Sequence, residues 1–414
     1  MSLTILVYIF LSFLSISFGI LYFVYPKISS VLFLIIGLLI PSSNQFMEFT
    51  SYSGIYFYDY FFLSVSIYYL FQVIVTQNIR KSNIYNISLF LFIFLFYIII
   101  AISSSISIDK YFLRDLRPFL LLFYGLVFID LLRAHRISLP IILNVLLFSF
   151  IIKIIFIIFQ IFGASFSDVY YENNSFRYFD ASTFVASLFL LIGIFKKSSL
   201  LLGVSKYKLN IIKILAITII LISNLRIFLL ALLIVYLIFH NKNILKKLFI
   251  VVITIFLFLS YSYIMQIDRV INAFELNNIV MQLANRFSPA IIKISQMNFY
   301  NYIYGLGLGT YFDIPWFEYR GLDSKLNTID STYLTFFVKY GLVSIGVLFL
   351  FFKILLKNVN DLLLKRALII FYLIVFLTVS VLYQSGAVIQ ILFINMLMIS
   401  INNEDSTHSV SINT

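Results

Sequence analysis

The sequence predicts an all-α, polytopic transmembrane helical bundle of about 11–14 spans with one large helical extracytoplasmic loop. Two observations carry that prediction. The first is composition: 62% of the residues are hydrophobic, only 11% are charged, and the mean hydropathy is +1.05. A soluble domain covers its surface with about 25% charged residues, so a water-facing shell cannot be built from this chain. The second is clustering, since stretches such as Ile141 to Phe159 and Phe249 to Tyr261 carry almost no charge. Runs of that kind suit a hydrocarbon core about 30 Å thick, which a helix crosses with about 20 residues.

Apolar runs and their charged interruptions place spans near residues 3–24, 28–43, 56–77, 84–105, 116–132, 138–163, 181–195, 209–222, 226–240, 246–265, 330–356, 363–383 and 386–401. The first span lacks a basic leader and a small-residue cleavage site and reads as a retained helix. The chain then divides into a transmembrane region of about ten spans at 1–265, a large loop at 266–329, C-terminal spans at 330–401 and a tail at 402–414. An unbroken connection that long is functional or disordered as a rule. This one contains amphipathic runs and a Gly-rich turn, which favours an ordered, functional segment.

Orientation follows from the distribution of basic residues, because short cytoplasmic loops retain them. One set of alternate loops holds thirteen Lys and four Arg and is expected to be cytoplasmic, whereas the opposite side holds seven Arg and four Lys. The tail is then cytoplasmic and the 266–329 loop extracytoplasmic. The formal charge of +12 is thus a topology signal, and no nucleic-acid partner is expected, since the basic residues do not gather on one solvated face. Cysteine is absent, which removes disulfides, iron–sulfur clusters and thiol nucleophiles. His135, His240 and His408 are scattered, so neither a metal site nor any cofactor is expected.

Retaining a loop in the cytoplasm requires only charge, so Arg on the outer side needs another reason. Its planar fork suits bidentate contacts to phosphate and carboxylate. Arg114, Arg117, Arg177, Arg226, Arg269, Arg286 and Arg320 are therefore candidates for holding an anionic ligand, the alternative being pairing with outer acids or lipid phosphates, which weighs most for Arg269 and Arg320 with Asp268 and Glu318 close by. Arg226, in Ser223-Asn224-Leu225-Arg226, lies between two short spans at or below headgroup level, where a lone charge is costly. Arg177 sits among aromatics in Phe176-Arg177-Tyr178-Phe179, where snorkelling in an aromatic belt is an equal reading. Gly305-Leu306-Gly307-Leu308-Gly309 lacks the spacing and the strand–helix setting of a dinucleotide site. It marks either close backbone approach to a ligand or a tight turn. Asp330, before Ser331-Thr332-Tyr333-Leu334, is either a helix cap or a surface carboxylate able to take a proton from a hydroxyl. Lys339, two and a half turns further on, lies within the membrane and must face protein or a cavity.

These features together resemble the O-antigen polymerase (Wzy) and O-antigen ligase superfamily of bacterial envelope polysaccharide enzymes. Arg286 with Ala290, Ile291 and Ile292, leading through Asn298 to Tyr304 into the glycines at 305, 307 and 309, is similar to the family's Arg before an amphipathic helix and G-x-G-x-G. Asp330 to Leu334, with Lys339-Tyr340-Gly341-Leu342 and Gly346, is similar to its His or Asp, small polar residue, Tyr-Leu and Gly-rich turn. Ser223 to Arg226 resembles its Ser-Arg element, and Phe176 to Thr183 is a weaker echo of an earlier one. The similarity covers residues 170 to 346.

The resemblance implies a GT-C-like, cofactor-free glycosyltransferase of the bacterial cytoplasmic membrane, active on the extracytoplasmic face. Its donor and acceptor would be undecaprenyl-pyrophosphate-linked glycans, with a chain-length regulator protein as a further partner. Asp330, Arg226 and Arg286 would be catalytic. Arg177, Arg114, Arg117, Gly305, Gly307, Gly309, Tyr333 and Lys339 would bind substrate. Alternatives are a ligase moving the glycan to lipid A core or protein and, from another class, a flippase of lipid-linked sugars, which usually carries repeated halves and charges deep in its helices.

Overall fold

A computed structural model describes residues 3–40, 47–52, 55–76, 81–103, 109–163, 180–223, 226–239, 276–314, 324–384 and 386–412, with scattered positions between 249 and 260. The described chain is almost wholly helical. Its helices are α1 (Leu3–Val24), α2 (Pro26–Leu39), α3 (Met47–Thr50), α4 (Phe57–Thr76), α5 (Lys81–Ser103), α6 (Lys110–Asp115), α7 (Arg117–Ala134), α8 (Leu139–Gly163), α9 (Ala181–Phe195), α10 (Lys197–Gly203), α11 (Lys206–Ser223) and α12 (Arg226–Phe239). After the interval that includes the expected span 246–265, most of which lies outside the described residues, come α13 (Leu276–Ser295), α14 (Phe299–Tyr304), α15 (Thr332–Tyr340), α16 (Ser344–Leu355), α17 (Leu362–Val375) and α18 (Ala387–Ile412). Two antiparallel ribbons, β1 (Ser51–Tyr52) with β2 (Ile55–Tyr56) and β3 (Phe312–Asp313) with β4 (Lys325–Leu326), complete it.

Among the described residues, four stretches are long and apolar enough to cross a membrane: Leu3–Leu21, Leu139–Ile158, Thr332–Leu355 and Ala387–Glu404. A fifth arises if α9 and α10, bent by 109° at Lys196, count together. The core follows from how apolar residues are arranged around each helix. From Ala387 to Ile401, α18 is apolar on all sides, so it can only be satisfied at the centre, and every one of those residues is buried. It packs against α2, α7, α8, α9 and α16. By contrast α1, against α2 and α4, leaves Leu6, Phe10 and Phe13 exposed, as a helix at a lipid boundary would.

Between membrane helices hydrocarbon competes on equal terms with a partner's side chains, so association relies on close packing and small residues. A methyl on Gly125 of α7 would lie 2.8 Å from Ile354 Cγ2, and one on Gly386 would lie 2.8 Å from the Cα of Ala181. At Gly125 α7 is thus in close contact with α16, and at Gly386 the turn before α18 is in close contact with α9.

Two expected spans differ from the structure. The stretch 330–356 is not one helix: it breaks at Gly341, where φ is +55°, into α15, a 3-10 turn over Gly341–Val343, and α16. The stretch 363–383 is α-helical only to Val375 and ends in a 3-10 turn over Val381–Tyr383. Between them the backbone is irregular and its polar groups are met by the first turn of α15: Thr332 N donates to Phe376 O (2.9 Å) and Thr332 Oγ1 to Val379 O (2.6 Å), while Val381 N donates to Thr332 Oγ1 (3.1 Å). Irregular backbone persists at such depth only where protein satisfies it. The expected tail likewise continues as helix in α18 to Ile412.

The glycine contacts predict opposite signs for two similar changes. Gly386→Ala meets backbone and is expected to lower stability by about 1–3 kcal/mol. Gly346→Ala, with nothing within 4 Å of the added methyl, is expected to gain about 0.5–1 kcal/mol. Thermal unfolding in detergent measures both.

Candidate functional site

The site is organised by a carboxylate. Asp109 caps α6, accepting from Tyr111 N and Phe112 N (both 2.9 Å), and this fixes the six-residue helix that ends at Asp115. Asp115 is fully buried and pairs with Lys339 Nζ of α15 at 2.5 Å. It also accepts from Gly309 N (2.8 Å) and Asn327 Nδ2 (2.5 Å). The Lys339 ammonium donates to Thr310 O as well (2.7 Å) and lies near the Tyr383 and Phe312 rings. Tyr340 Oη donates to the Asp115 carbonyl (3.2 Å) and is hydrogen-bonded to Tyr383 Oη (3.0 Å). A charge in a low-dielectric interior is tolerated only when paired and hydrogen-bonded, and both conditions hold here.

The Gly-rich segment serves the same centre. Gly305, Gly307 and Gly309 have φ of +80°, +89° and +87°, a region where a side chain is strained. A methyl on Gly305 would lie 2.2 Å from the Lys339 carbonyl. The break at Gly341 leaves the last carbonyls of α15 without helical partners. Leu306 N donates to Val338 O (2.8 Å), Gly307 N to Lys339 O (3.0 Å) and Tyr97 Oη of α5 to Tyr340 O (2.8 Å). Of the two readings of these glycines, close approach to a ligand or a turn, the geometry gives a third: close approach to the protein's own broken helix.

At the start of α15 the cap is Ser331, whose side chain accepts from Leu334 N, so Asp330 is released from the capping role. Its carboxylate is mostly exposed and lies 3.7 Å from Arg286 Nε, itself part-exposed, because α13 packs on α15. Tyr333 Oη donates to Leu373 O (2.9 Å). Arg117 donates to Asp59 (3.2 Å) and its guanidinium carbon lies 3.8 Å from the centre of the Tyr56 ring. Its Nε and Nη2, and Nε of Arg114 one turn earlier, are buried with no hydrogen-bond partner among the described residues. Arg226 opens α12, but its side chain lies outside the described residues, as does all of Arg177.

Asn327 touches Asp115, and Asp330 is three residues on, so its Cα is within about 11 Å of that of Asn327 even on fully extended chain. Arg114, Asp115, Arg286 and Asp330 therefore share a neighbourhood although more than two hundred positions of sequence separate the first from the last.

Sequence reasoning passed over Asp115, Asp59 and a second buried pair, Lys153 with Asp180. Lys153 lies inside the apolar stretch Leu139–Ile158, is fully buried and also donates to Leu39 O (3.1 Å). Asp180 caps α9 by accepting from Ser182 N (2.9 Å). A lone Lys within an apolar run is the signal that points to it.

The centre predicts a specific pattern of damage. Lys339→Met leaves Asp115 buried beside an apolar group and is expected to cost about 3–5 kcal/mol. Adding Asp115→Asn removes the orphaned charge and should recover part of it. Monodisperse yield and thermal midpoint in detergent read both variants, and a double variant no better than the single one would contradict the pairing.

No curated protein and no solved structure matches this chain. A family model described as a family of unknown function (DUF6369) matches residues 137–408, from the start of α8 into α18. The matched region includes Arg286, the three glycines, Asp330 and Lys339, and stops short of Asp59, Arg114, Asp115 and Arg117. Since it spans more than half of the 414 residues, the chain belongs to the family of unknown function DUF6369.

Proposed function

We propose that the protein is a polysaccharide (O-antigen) polymerase, a GT-C-like bundle of about 11–14 spans in the bacterial cytoplasmic membrane. It would join undecaprenyl-pyrophosphate-linked repeat units at the extracytoplasmic face. The observation that supports this reading is the meeting of Arg286 and Asp330, 3.7 Å apart and both open to solvent. An accessible carboxylate beside an accessible guanidinium offers a base for a hydroxyl and a cation for a phosphate.

In the proposed reaction the acceptor hydroxyl oxygen attacks the anomeric carbon of the donor glycan, and its proton passes to the Asp330 carboxylate. The bond from the anomeric carbon to the pyrophosphate oxygen breaks with inversion, and the lipid pyrophosphate departs with the electron pair. Arginine donors would stabilise the charge that develops on it, with Arg286, beside Asp330, and Arg226 proposed for that role. Arg114 and Arg117, whose unpartnered donors are buried, would hold the remaining phosphate oxygens.

A second reading, a transporter of lipid-linked sugars, is favoured by the Lys153–Asp180 pair, since ionisable groups deep in a span mark substrate or ion paths in such proteins. The two readings separate in detergent, where there are no compartments to transport between. Purified protein given a lipid-pyrophosphate-linked repeat unit should lengthen the glycan on its lipid. Arg226→Ala, Arg286→Ala and Asp330→Ala should each reduce elongation by about 100-fold or more while eluting as wild type on size exclusion. Full-length products from all three would remove the site, and no elongation by wild type would favour transport.

A further inference from the structure

We infer that α14 and the glycine segment behind it re-enter the membrane, and that the exposed face of α14 is a surface for the acyl chains of one leaflet. The argument begins with depth. The run Thr332–Leu355, taken across its break, has 24 residues and is long and apolar enough to cross a membrane, and hydrocarbon about 30 Å thick takes about 20 of them at about 1.5 Å each. Counted back from Leu355, twenty residues reach Phe336. Lys353 and Lys357 at the other end only push the hydrocarbon further towards α15. Gly341 is therefore at least about 8 Å below the hydrocarbon edge.

The segment from 299 to 309 is docked at that depth. A methyl on Gly341 would lie 2.6 Å from Gly305 N and from the Ile303 carbonyl, and Leu306 N and Gly307 N bond to Val338 O and Lys339 O. The six residues of α14 span about 9 Å, enough to descend from headgroup level at Asn298 to the level of Gly341. Its two ends are each tied by a hydrogen bond: Asn298 Oδ1 accepts from Asn301 N (2.9 Å) and Gly305 N donates to Asn301 O (2.7 Å).

The outward face of this element is apolar and bare, with Phe299 75% and Ile303 42% exposed. It adjoins Leu342 (55%) and Ile345 (65%), which lie on the span itself. Lipid is the occupant that covers a span's exposed side chains, and because α14 packs on the turn at Gly341–Val343, its apolar face continues the same surface. Tyr300 and Tyr302 supply the amphipathic rings found where membrane meets water. This placement holds or fails independently of glycosyl transfer.

The absence of cysteine makes the test direct. Ile303→Cys, Ile345→Cys and Asp313→Cys, the last on the exposed edge of β3, are each labelled with bimane and reconstituted in phosphatidylcholine vesicles with or without chain-doxyl lipid. The expected result is that doxyl lipid quenches the labels at 303 and 345 and spares 313, while aqueous iodide quenches 313 and spares the other two. Iodide quenching at 303 equal to that at 313 would put α14 in water and overturn the inference. Quenching at 303 by neither reagent, with 345 still quenched by lipid, would mean a protein partner or second copy covers the face and would overturn it equally.

Discussion

The buried pair of Asp115 and Lys339 is the interaction on which the rest of the described structure turns. Each charge would be prohibitively costly alone in a low-dielectric interior, and neither has water to fall back on. Their separation of 2.5 Å is only part of the remedy, because the remaining lone pairs and protons must be satisfied too. That requirement pulls in Gly309, Thr310 and Asn327. The α6–α7 junction is thereby held in register with three segments about two hundred residues further along the chain: the glycine segment, the stretch after β4, and α15.

The break at Gly341 belongs to the same arrangement. Interrupting a helix inside a membrane frees carbonyls that lipid cannot satisfy. Here they are taken by Leu306, Gly307 and Tyr97. Without side chains on Gly305 and Gly341 the two backbones can touch, so a loop element can replace the missing helical turn. The break therefore gains a second function, since it holds the 299–309 segment against the span.

Beside this rigid centre the proposed site is loose. Arg286 and Asp330 meet at 3.7 Å with both side chains accessible, a pairing in which surface exposure keeps the attraction small. Such a pair would separate at little cost if the proposed phosphate and hydroxyl competed for its members. Arg117 is the opposite case: one donor is committed to Asp59 and its face lies on Tyr56, while two further nitrogens have no partner among the described residues. Rigid placement with spare hydrogen-bonding capacity is what anion recognition asks of an arginine.

Helix positions were legible because hydrophobic runs of a given length have few other solutions. The expected spans at 3–24, 138–163 and 181–195 coincide with α1, α8 and α9 within a residue or two. Arg286 and Asp330 were singled out from residue type and position, and the glycines from their spacing. The partners of these groups were not legible. Nothing local to Asp115 distinguishes it from any acid at a helix end, and nothing local to Lys339 says which carboxylate it meets across the bundle. The sequence by itself determined which segments are helical and apolar, because that depends on runs of neighbouring residues. Only the tertiary structure decided which charges pair, which glycines touch and where the long helix breaks. Those outcomes depend on burial, and burial is a property of the packed helices together.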